Sequence, residues 1–205
     1  RTVAIDIAVR QAAALQVVIL GAGLDGRAWR MPELRDAIVF EIDHPDSQRQ
    51  KQARVGALTR AAKDVRFVPV DFAVDDLDTA LKNAGHDTQA RTMWIWEGVV
   101  MYLTLEQIEA ALRVIRARSA PGSRLAIVYH APALLLLLVG WVVKRVGEPL
   151  RSVFRAPQMQ ALLARHGFRV VSDADLPTIA AQLTPEIADL VGAMRQTRIV
   201  IAEAG

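Results

Sequence analysis

Short apolar segments alternate with longer segments of mixed polarity along the chain. The short runs are typical of strands buried on both faces, and the mixed segments place apolar residues three or four positions apart, as amphipathic helices do. The predicted strands cover 17–20, 37–42, 65–70, 92–96, 124–129, 168–172 and 197–202. The predicted helices cover 1–15, a short stretch within 24–34, 45–59, 73–84, a segment starting at 104, 157–166 and a segment starting at 184. This alternation indicates an α/β protein with a doubly wound sheet, in which ligands bind at the carboxyl ends of the strands.

Local signals mark several of the helix boundaries. Thr104 followed three residues later by Gln107 is a capping-box pattern, which predicts a helix start. Gly85 and Gly167 are placed to end the helices before them, because glycine adopts the left-handed conformation common after a last helical turn.

A glycine-rich turn follows the first predicted strand. Its sequence, Gly21-Ala22-Gly23-Leu24-Asp25-Gly26, satisfies the pattern G-x-G-x-x-G, and the acidic residues Glu41 and Asp43 follow about 20 positions later. Glycine lets a ligand approach the backbone closely and accepts dihedral angles that a Cβ would penalise. The turn predicts a bound cofactor, although the same glycines would also serve simply to pack a helix against the sheet.

Asp25 bears on which cofactor the turn would hold. A carboxylate inside the turn would repel the diphosphate of a dinucleotide, which the helix N-terminus normally attracts. S-adenosylmethionine has no phosphate, and its ribose hydroxyls can be held by an acid after the second strand. Asp43 is expected to take that position, with Glu41 pointing away because alternate strand residues face opposite sides.

Composition and charge narrow the class of protein. With 205 residues, 52% of them hydrophobic, the chain is expected to form one domain over residues 1–205. The net charge is only +3 and the basic residues are mixed with acidic ones, so nucleic-acid binding is not indicated. Cysteine is absent, which excludes disulfides, thiolate catalysis and Cys-ligated zinc and fits the cytoplasmic location that we predict.

The most apolar run spans residues 131–143. It is shorter than the roughly 20 residues that a membrane-spanning helix needs. Lys144 and Arg145 follow it directly, so an interfacial helix at a membrane surface stays open as an alternative. We expect 131–167 to form a lid-like insertion over a small and hydrophobic acceptor, with ordinary core or interface packing as the alternative.

Several of these segments together resemble the leucine carboxyl methyltransferase family, in particular its bacterial branch of S-adenosylmethionine-dependent methyltransferases. The matching pieces are spread over the first 150 residues: Arg1-Thr2 with Ile5-Asp6, residues 18–25, 40–45, 70–72, 97–103 and 147–149. The resemblance implies a class I methyltransferase fold, Rossmann-like, with about seven strands of which the last two form an antiparallel edge. It also implies S-adenosyl-L-methionine as cofactor and methylation, most simply O-methylation of a carboxylate or hydroxyl on a small molecule.

The resemblance implies a role for individual residues of this chain. Arg1 matches an arginine that meets the methionine carboxylate, and Gly21, Ala22 and Gly23 form the turn beside the methionine arm. Asp43 matches the acid that accepts hydrogen bonds from the ribose hydroxyls. The remaining positions are a pair that contacts adenine and an acid near the methionine moiety: Asp71, Phe72 and Glu97. From the residues alone, Arg1 could instead be a solvated terminal residue, and Asp71 could cap the following helix.

Two features of the family shape the remaining expectations. The family places helices upstream of the position of Arg1, so the chain as given is expected to lack an N-terminal helical segment. A carboxylate acceptor is already nucleophilic, whereas a hydroxyl acceptor would need a base, for which Tyr129 and His130 at the end of the fifth strand are the candidates. The other histidines are not grouped at metal-ligand spacing, so no metal is predicted.

Two other function classes remain as alternatives. An NAD(P)-dependent oxidoreductase would use the same glycine turn and second-strand acid, but it leaves Asp25, Asp71 and Glu97 unexplained. A non-catalytic or membrane-surface binding protein would show no turnover with any acceptor.

Overall fold

One sheet runs through the part of the chain described by the computed structural model, which comprises residues 1–72, 74–132, 151–182, 191–192 and 194–205. Its strands are β1 (Gln16–Leu20), β2 (Ile38–Asp43), β3 (Asp64–Pro69), β4 (Thr92–Trp96), β5 (Arg124–His130), β6 (Phe168–Asp175) and β7 (Thr197–Ala204). The strand order is β3-β2-β1-β4-β5-β7-β6. The strands from β1 to β5 pair in parallel, and β7 is antiparallel to both β5 and β6. The predicted mixed sheet with an antiparallel edge is therefore confirmed.

Helices of various lengths connect these strands. The described ones are α1 (Thr2–Ala12), α2 (Arg27–Arg30), α3 (Pro45–Val55), α4 (Leu77–Asn83), α5 (Leu105–Ala117), α6 (Ala156–Arg165) and α7 (Leu176–Ala181), with single 3-10 turns at Pro32–Leu34 and Val100–Tyr102. The helix predicted to start at 184, and the apolar run from 133 onward, lie outside the described residues. Within the described residues, no helix is both long and apolar enough to cross a bilayer.

Both faces of the sheet are covered by apolar side chains. Every residue of β1 and β4 is buried, which fits central strands packed on two sides. Val18, Leu20 and the tryptophans of β4 pack with helices α4, α5 and α6 on one face. Val17, Ile19, Val39 and the remaining apolar residues of β4 pack with α1 and α2 on the other. The two cores fix the sheet so that the carboxyl ends of its parallel strands lie together along one side of the molecule.

Helix boundaries agree with the sequence signals in some places and differ in others. The capping box at α5 is confirmed, since Thr104 accepts from the Gln107 amide at 3.3 Å and the Gln107 side chain accepts from the Thr104 amide at 2.8 Å. The helix predicted over 73–84 starts only at Leu77, because the Asp76 carboxylate accepts from the amides of Asp78 and Thr79 and so caps the helix there.

Candidate functional site

The glycine turn follows β1 and runs close to the chain after β4. The amides of Gly21 and Ala22 both donate to the Ile42 carbonyl, at 2.8 and 2.9 Å, which fixes the turn against the end of β2. Gly21 and Gly23 have φ angles of 70° and 46°. A Cβ on Gly21 would lie 2.0 Å from Val99 Cγ2, so only glycine fits at that position.

Two open clefts meet at this turn. The turn cleft, ≈ 380 Å³, is lined mainly by Arg1, residues 21–27, Arg30 and Glu97. The strand-end cleft, ≈ 700 Å³, is lined by residues that include Asp43, His44, Asp71, Phe72, Tyr102, Gln107 and Arg151. Gly21, Gly23 and Gly98 line both clefts, so the clefts join across the glycine turn.

Every predicted cofactor-binding residue lines one of these two clefts. Arg1, Ala22 and Glu97 line the turn cleft, and the two glycines line both. Asp43, Asp71 and Phe72 line the strand-end cleft. These side chains come from segments far apart in the sequence, and the parallel strand ends bring them together.

Asp43 lines the strand-end cleft, and backbone amides hold its carboxylate. The Gly23 amide donates to Oδ2 at 2.5 Å and the His44 amide donates to Oδ1 at 2.7 Å. A carboxylate has about four lone-pair sites, so it can accept further hydrogen bonds on its open side. The geometry suits recognition of a ligand that presents hydroxyl groups.

Glu41 lines neither cleft, as expected, but the expected reason was wrong. Glu41 and Asp43 are two positions apart and therefore share a face of β2. Glu41 is completely buried, and the Lys51 ammonium of α3 covers it at 2.6 Å from Oε2. Burial is the main cause that raises the pKa of the Glu41 carboxyl to about 7, despite the opposing effect of Lys51.

A charged network that sequence reasoning missed lines the turn cleft and extends to the buried Asp6 of α1. Arg27 is only 2% exposed, and its guanidinium contacts Asp6 at 2.8 Å, Glu97 at 3.4 Å and the carboxylate of Asp25. Arg1 Nε lies 2.6 Å from Glu97 Oε1. Arg30 contacts Asp6 as well, and these interactions lower the pKa of Asp6 although its burial opposes them. The signal in the sequence was Asp6 on an otherwise apolar helix face.

This network changes one argument from the sequence. Asp25 was expected to repel a diphosphate, but its carboxylate faces the Arg27 guanidinium and also accepts from the Arg27 amide at 2.8 Å. Its charge is therefore compensated locally. Asp25 alone does not discriminate against a dinucleotide.

Asp71 and Phe72 follow β3 and face the adjoining segment before α5. The alternative that Asp71 caps the next helix is wrong, since Asp76 caps α4. The Asp71 amide donates to the Asp75 carboxylate at 2.8 Å. Phe72 is partly buried against the core and shares the strand-end cleft with Tyr102 and Gln107. This part of the cleft combines an aromatic wall with polar groups.

Tyr129 does not suit the catalytic role considered for it. Its side chain is 1% exposed, and the hydroxyl donates to Asp173 Oδ2 at 2.8 Å and accepts from Arg198 Nε at 3.0 Å. Burial and the Asp173 carboxylate raise the pKa of the Tyr129 hydroxyl well above its ordinary value. A general base at neutral pH needs the opposite shift.

His130 occupies a different environment. It lines a third cleft, ≈ 630 Å³, together with Arg1, Thr2, Val3, Leu176, Val191, Met194, Gln196 and Thr197. Its Nδ1 atom is buried and has no hydrogen-bond partner among the described residues. Burial and the nearby Arg1 charge lower the pKa of His130, so the ring is neutral at pH 7. Arg1 and Thr2 line this cleft and the turn cleft, which are therefore neighbours.

The model of one protein family, described as leucine carboxyl methyltransferase, matches residues 1–116. The chain belongs to the leucine carboxyl methyltransferase family. The matched region contains every residue that lines the turn cleft, and all but Arg151 of those that line the strand-end cleft.

Curated relatives agree with the family assignment. A Mycolicibacterium gilvum protein named "Putative S-adenosyl-L-methionine-dependent methyltransferase" is 38% identical over 149 residues, which cover 71% of this chain and 47% of the relative. A Mycobacterium marinum protein of the same name is 42% identical over 116 residues, covering 56% of this chain and 38% of the relative. The chain thus spans about half the length of the curated relatives it matches.

Solved structures share the fold of this family member. A duf574 family protein from Streptomyces avermitilis superposes with a TM-score of 0.71 at 14% identity, covering 98% of this chain and 80% of that one. The mitomycin 7-O-methyltransferase MmcR superposes with a TM-score of 0.64 at 17% identity, covering 99% and 54%. The predicted methyltransferase fold is confirmed. In the described residues, no three His, Asp or Glu side chains are grouped so as to hold a metal ion.

Proposed function

We propose that this protein is an S-adenosylmethionine-dependent methyltransferase. The observation that carries the proposal is the convergence of Arg1, the glycine turn, Asp43, Asp71, Phe72 and Glu97 on two joined clefts. Membership of the leucine carboxyl methyltransferase family and the names of its relatives support the same activity.

The residues present fit the cofactor group by group. Gly21, Ala22 and Gly23 line the turn cleft, in which the methionine arm would lie. Arg1 would pair with the methionine carboxylate, and Glu97 would face its positive groups, since opposite charges attract strongly away from bulk water. Asp43 would accept from the ribose hydroxyls. Asp71 and Phe72 would hold adenine through a hydrogen bond and ring packing.

The bound cofactor would supply a methyl group on a positively charged sulfur. The protein's own task is then to align an acceptor with that methyl and to exclude water. The turn cleft and the cleft beside His130 are neighbours along the carboxyl edge of β1, β4 and β5, so an acceptor in the latter would lie next to the methionine arm.

Calorimetric titration with S-adenosylmethionine, S-adenosylhomocysteine and NAD tests the cofactor. We expect binding of the first two and none of NAD. Asp43→Ala should weaken binding by at least about tenfold, because it removes a charged acceptor of ribose hydroxyls. Asp36→Ala removes an exposed acid outside the clefts and should stay within about twofold of wild type. Binding of NAD alone would point instead to an oxidoreductase, and unchanged affinity in Asp43→Ala would remove the ribose assignment.

For the acceptor, we propose O-methylation of a carboxylate or hydroxyl on a small molecule that is partly apolar. The cleft beside His130 has apolar walls from Val3, Leu176 and Met194, and none of its described lining residues is acidic. A carboxylate needs no base there. A hydroxyl does, and His130, which lines this cleft and whose pKa is lowered by burial, is the group placed to accept its proton.

Paired acceptors separate the two chemistries. Methyl transfer is measured by mass spectrometry with aryl carboxylic acids and the matching phenols. His130→Ala should lower turnover of a phenol by about 100-fold or more, since it removes the base, and should leave a carboxylate acceptor largely unaffected. His166→Ala, outside the three clefts, is the matched control. An equal loss with both acceptors would contradict a role as base.

A further inference from the structure

Helix α3 packs on the sheet through polar side chains. Gln48 and Lys51 are its buried residues, and at a spacing of three they share one side of the helix. The Gln48 amide donates to the Glu41 carbonyl at 2.6 Å, and the Lys51 ammonium lies 2.6 Å from Glu41 Oε2. Burying an amide and an ammonium costs free energy that apolar side chains would not incur. Packing alone therefore does not account for Lys51.

Lys51 makes a further contact that reaches the candidate site. Its ammonium donates to the Asp25 carbonyl at 2.7 Å and lies 5.1 Å from the centre of the Trp29 ring. Asp25 belongs to the turn that lines the turn cleft. One buried cation thus connects β2 and α3 to a turn 26 residues earlier in the chain.

The outer part of that turn is held by polar contacts. A Cβ on Gly26 would meet no atom within 4 Å, so side-chain packing does not support the turn at that point. The Gly23 amide is bound by Asp43, whose carboxylate would also have to serve the ribose hydroxyls. Lys51 also supports the turn, although it lines neither cleft.

We propose that Lys51 is a positioning residue for the cofactor: by holding the Asp25 carbonyl it keeps residues 23–26 in the shape that accepts the methionine arm. The inference rests on the proposed function. According to this inference, a buried lysine that lines neither cleft contributes to the affinity for the cofactor.

Two variants on the same helix test the inference. Lys51→Met loses the contact with the turn, and Gln48→Met loses only a contact with β2. Both are expected to lower the melting temperature, but in titrations with S-adenosylhomocysteine only Lys51→Met should lose affinity, by about tenfold. Gln48→Met should remain within about twofold of wild type. Lys51→Arg keeps a cationic donor and should recover part of the lost affinity, which a purely structural role does not predict.

The outcomes separate this inference from the proposed function. If the wild-type protein fails to bind S-adenosylhomocysteine, the proposed function is wrong. If wild type binds and Lys51→Met binds equally well, the role of Lys51 is wrong and the function stands. If Lys51→Met alone fails to fold, the double variant Glu41→Gln/Lys51→Met replaces it. That variant also removes the Glu41 carboxylate, so no buried charge is left without its partner. Wild-type affinity in that variant would overturn the inference, and a tenfold loss would support it.

Discussion

Gly21 illustrates how one residue combines a backbone requirement with a steric one. Its φ angle of 70° is unfavourable for a residue with a Cβ, and that Cβ would meet Val99 Cγ2 at 2.0 Å. We therefore expect Gly21→Ala to lower the free energy of unfolding by about 1–3 kcal/mol and to weaken binding of S-adenosylhomocysteine. Urea denaturation and calorimetric titration measure the two effects.

Gly26 offers the matched control for the effect of that substitution on stability. It lies in the same turn, its φ is −102°, and a Cβ there would meet no atom within 4 Å. Gly26→Ala should be neutral or slightly stabilising, because it restricts the unfolded chain without strain in the folded one. If both substitutions lower the free energy of unfolding equally, the positive φ angle and close packing of Gly21 are not the cause of its effect.

At the residue scale, the sequence located side chains at strand ends and missed partners that meet only in the folded protein. Asp43 is the last residue of β2 and Glu97 directly follows β4, so their place at the carboxyl ends of the strands was predictable. Arg27 and Asp6 pair across 21 positions and two helices, which no local pattern reveals. Tyr129 was a candidate base because it lies at the end of the fifth predicted strand. Its register opposite Arg198 on β7, which pairs its hydroxyl, could not be known from the sequence.

At the scale of elements, the contact between β2 and α3 should make stability depend on pH. The pKa of Glu41 is about 7 in the folded protein and 4.5 as its ordinary value, so the folded state holds the proton more tightly. The resulting stabilisation is complete below pH 4.5 and is lost as the pH rises through 7, amounting to about 3 kcal/mol at most. Glu41→Gln should remove this dependence, which urea denaturation from pH 5 to 8 would show.

The comparison with Glu41→Gln is needed because His86 titrates in the same range with the opposite sign. Burial lowers the pKa of His86 to about 4, so its contribution to stability is present above pH 6.5 and is lost on acidification. Wild type and Glu41→Gln share the contribution of His86. The difference between their free energies of unfolding therefore reports on Glu41 alone. If the difference does not change between pH 5 and 8, the proposed titration of Glu41 is wrong.

Some elements could be predicted better than others for physical reasons. Buried strands such as β4 were found with the observed limits, because four consecutive large apolar residues after Thr92 leave little choice. The start of α4 was misplaced, since Asp76 and Asp71 both resemble caps and only geometry selects one. Helix α3 carries no apolar stripe, so its inward face of Gln48 and Lys51 could not be recognised by periodicity.

For the whole molecule, the alternation of strands and helices predicted the fold class but not the order of strands. Parallel pairing follows from the connecting helices, and it places the strand ends, and hence the clefts, at one edge. The position of β7 between β5 and β6 is different. Nothing in its apolar pattern distinguishes an inner strand from an outer one, and the antiparallel edge was expected from the family resemblance.

That position of β7 has a consequence for synthesis on the ribosome. β7 pairs with β5 along Arg124–His130 and with β6 along Phe168–Asp175, both of which leave the ribosome first. Until residues 197–204 have been translated, β5 and β6 each present an unpaired edge, and such edges are sites of aggregation. Completion of the sheet is therefore a late event in synthesis that depends on β7.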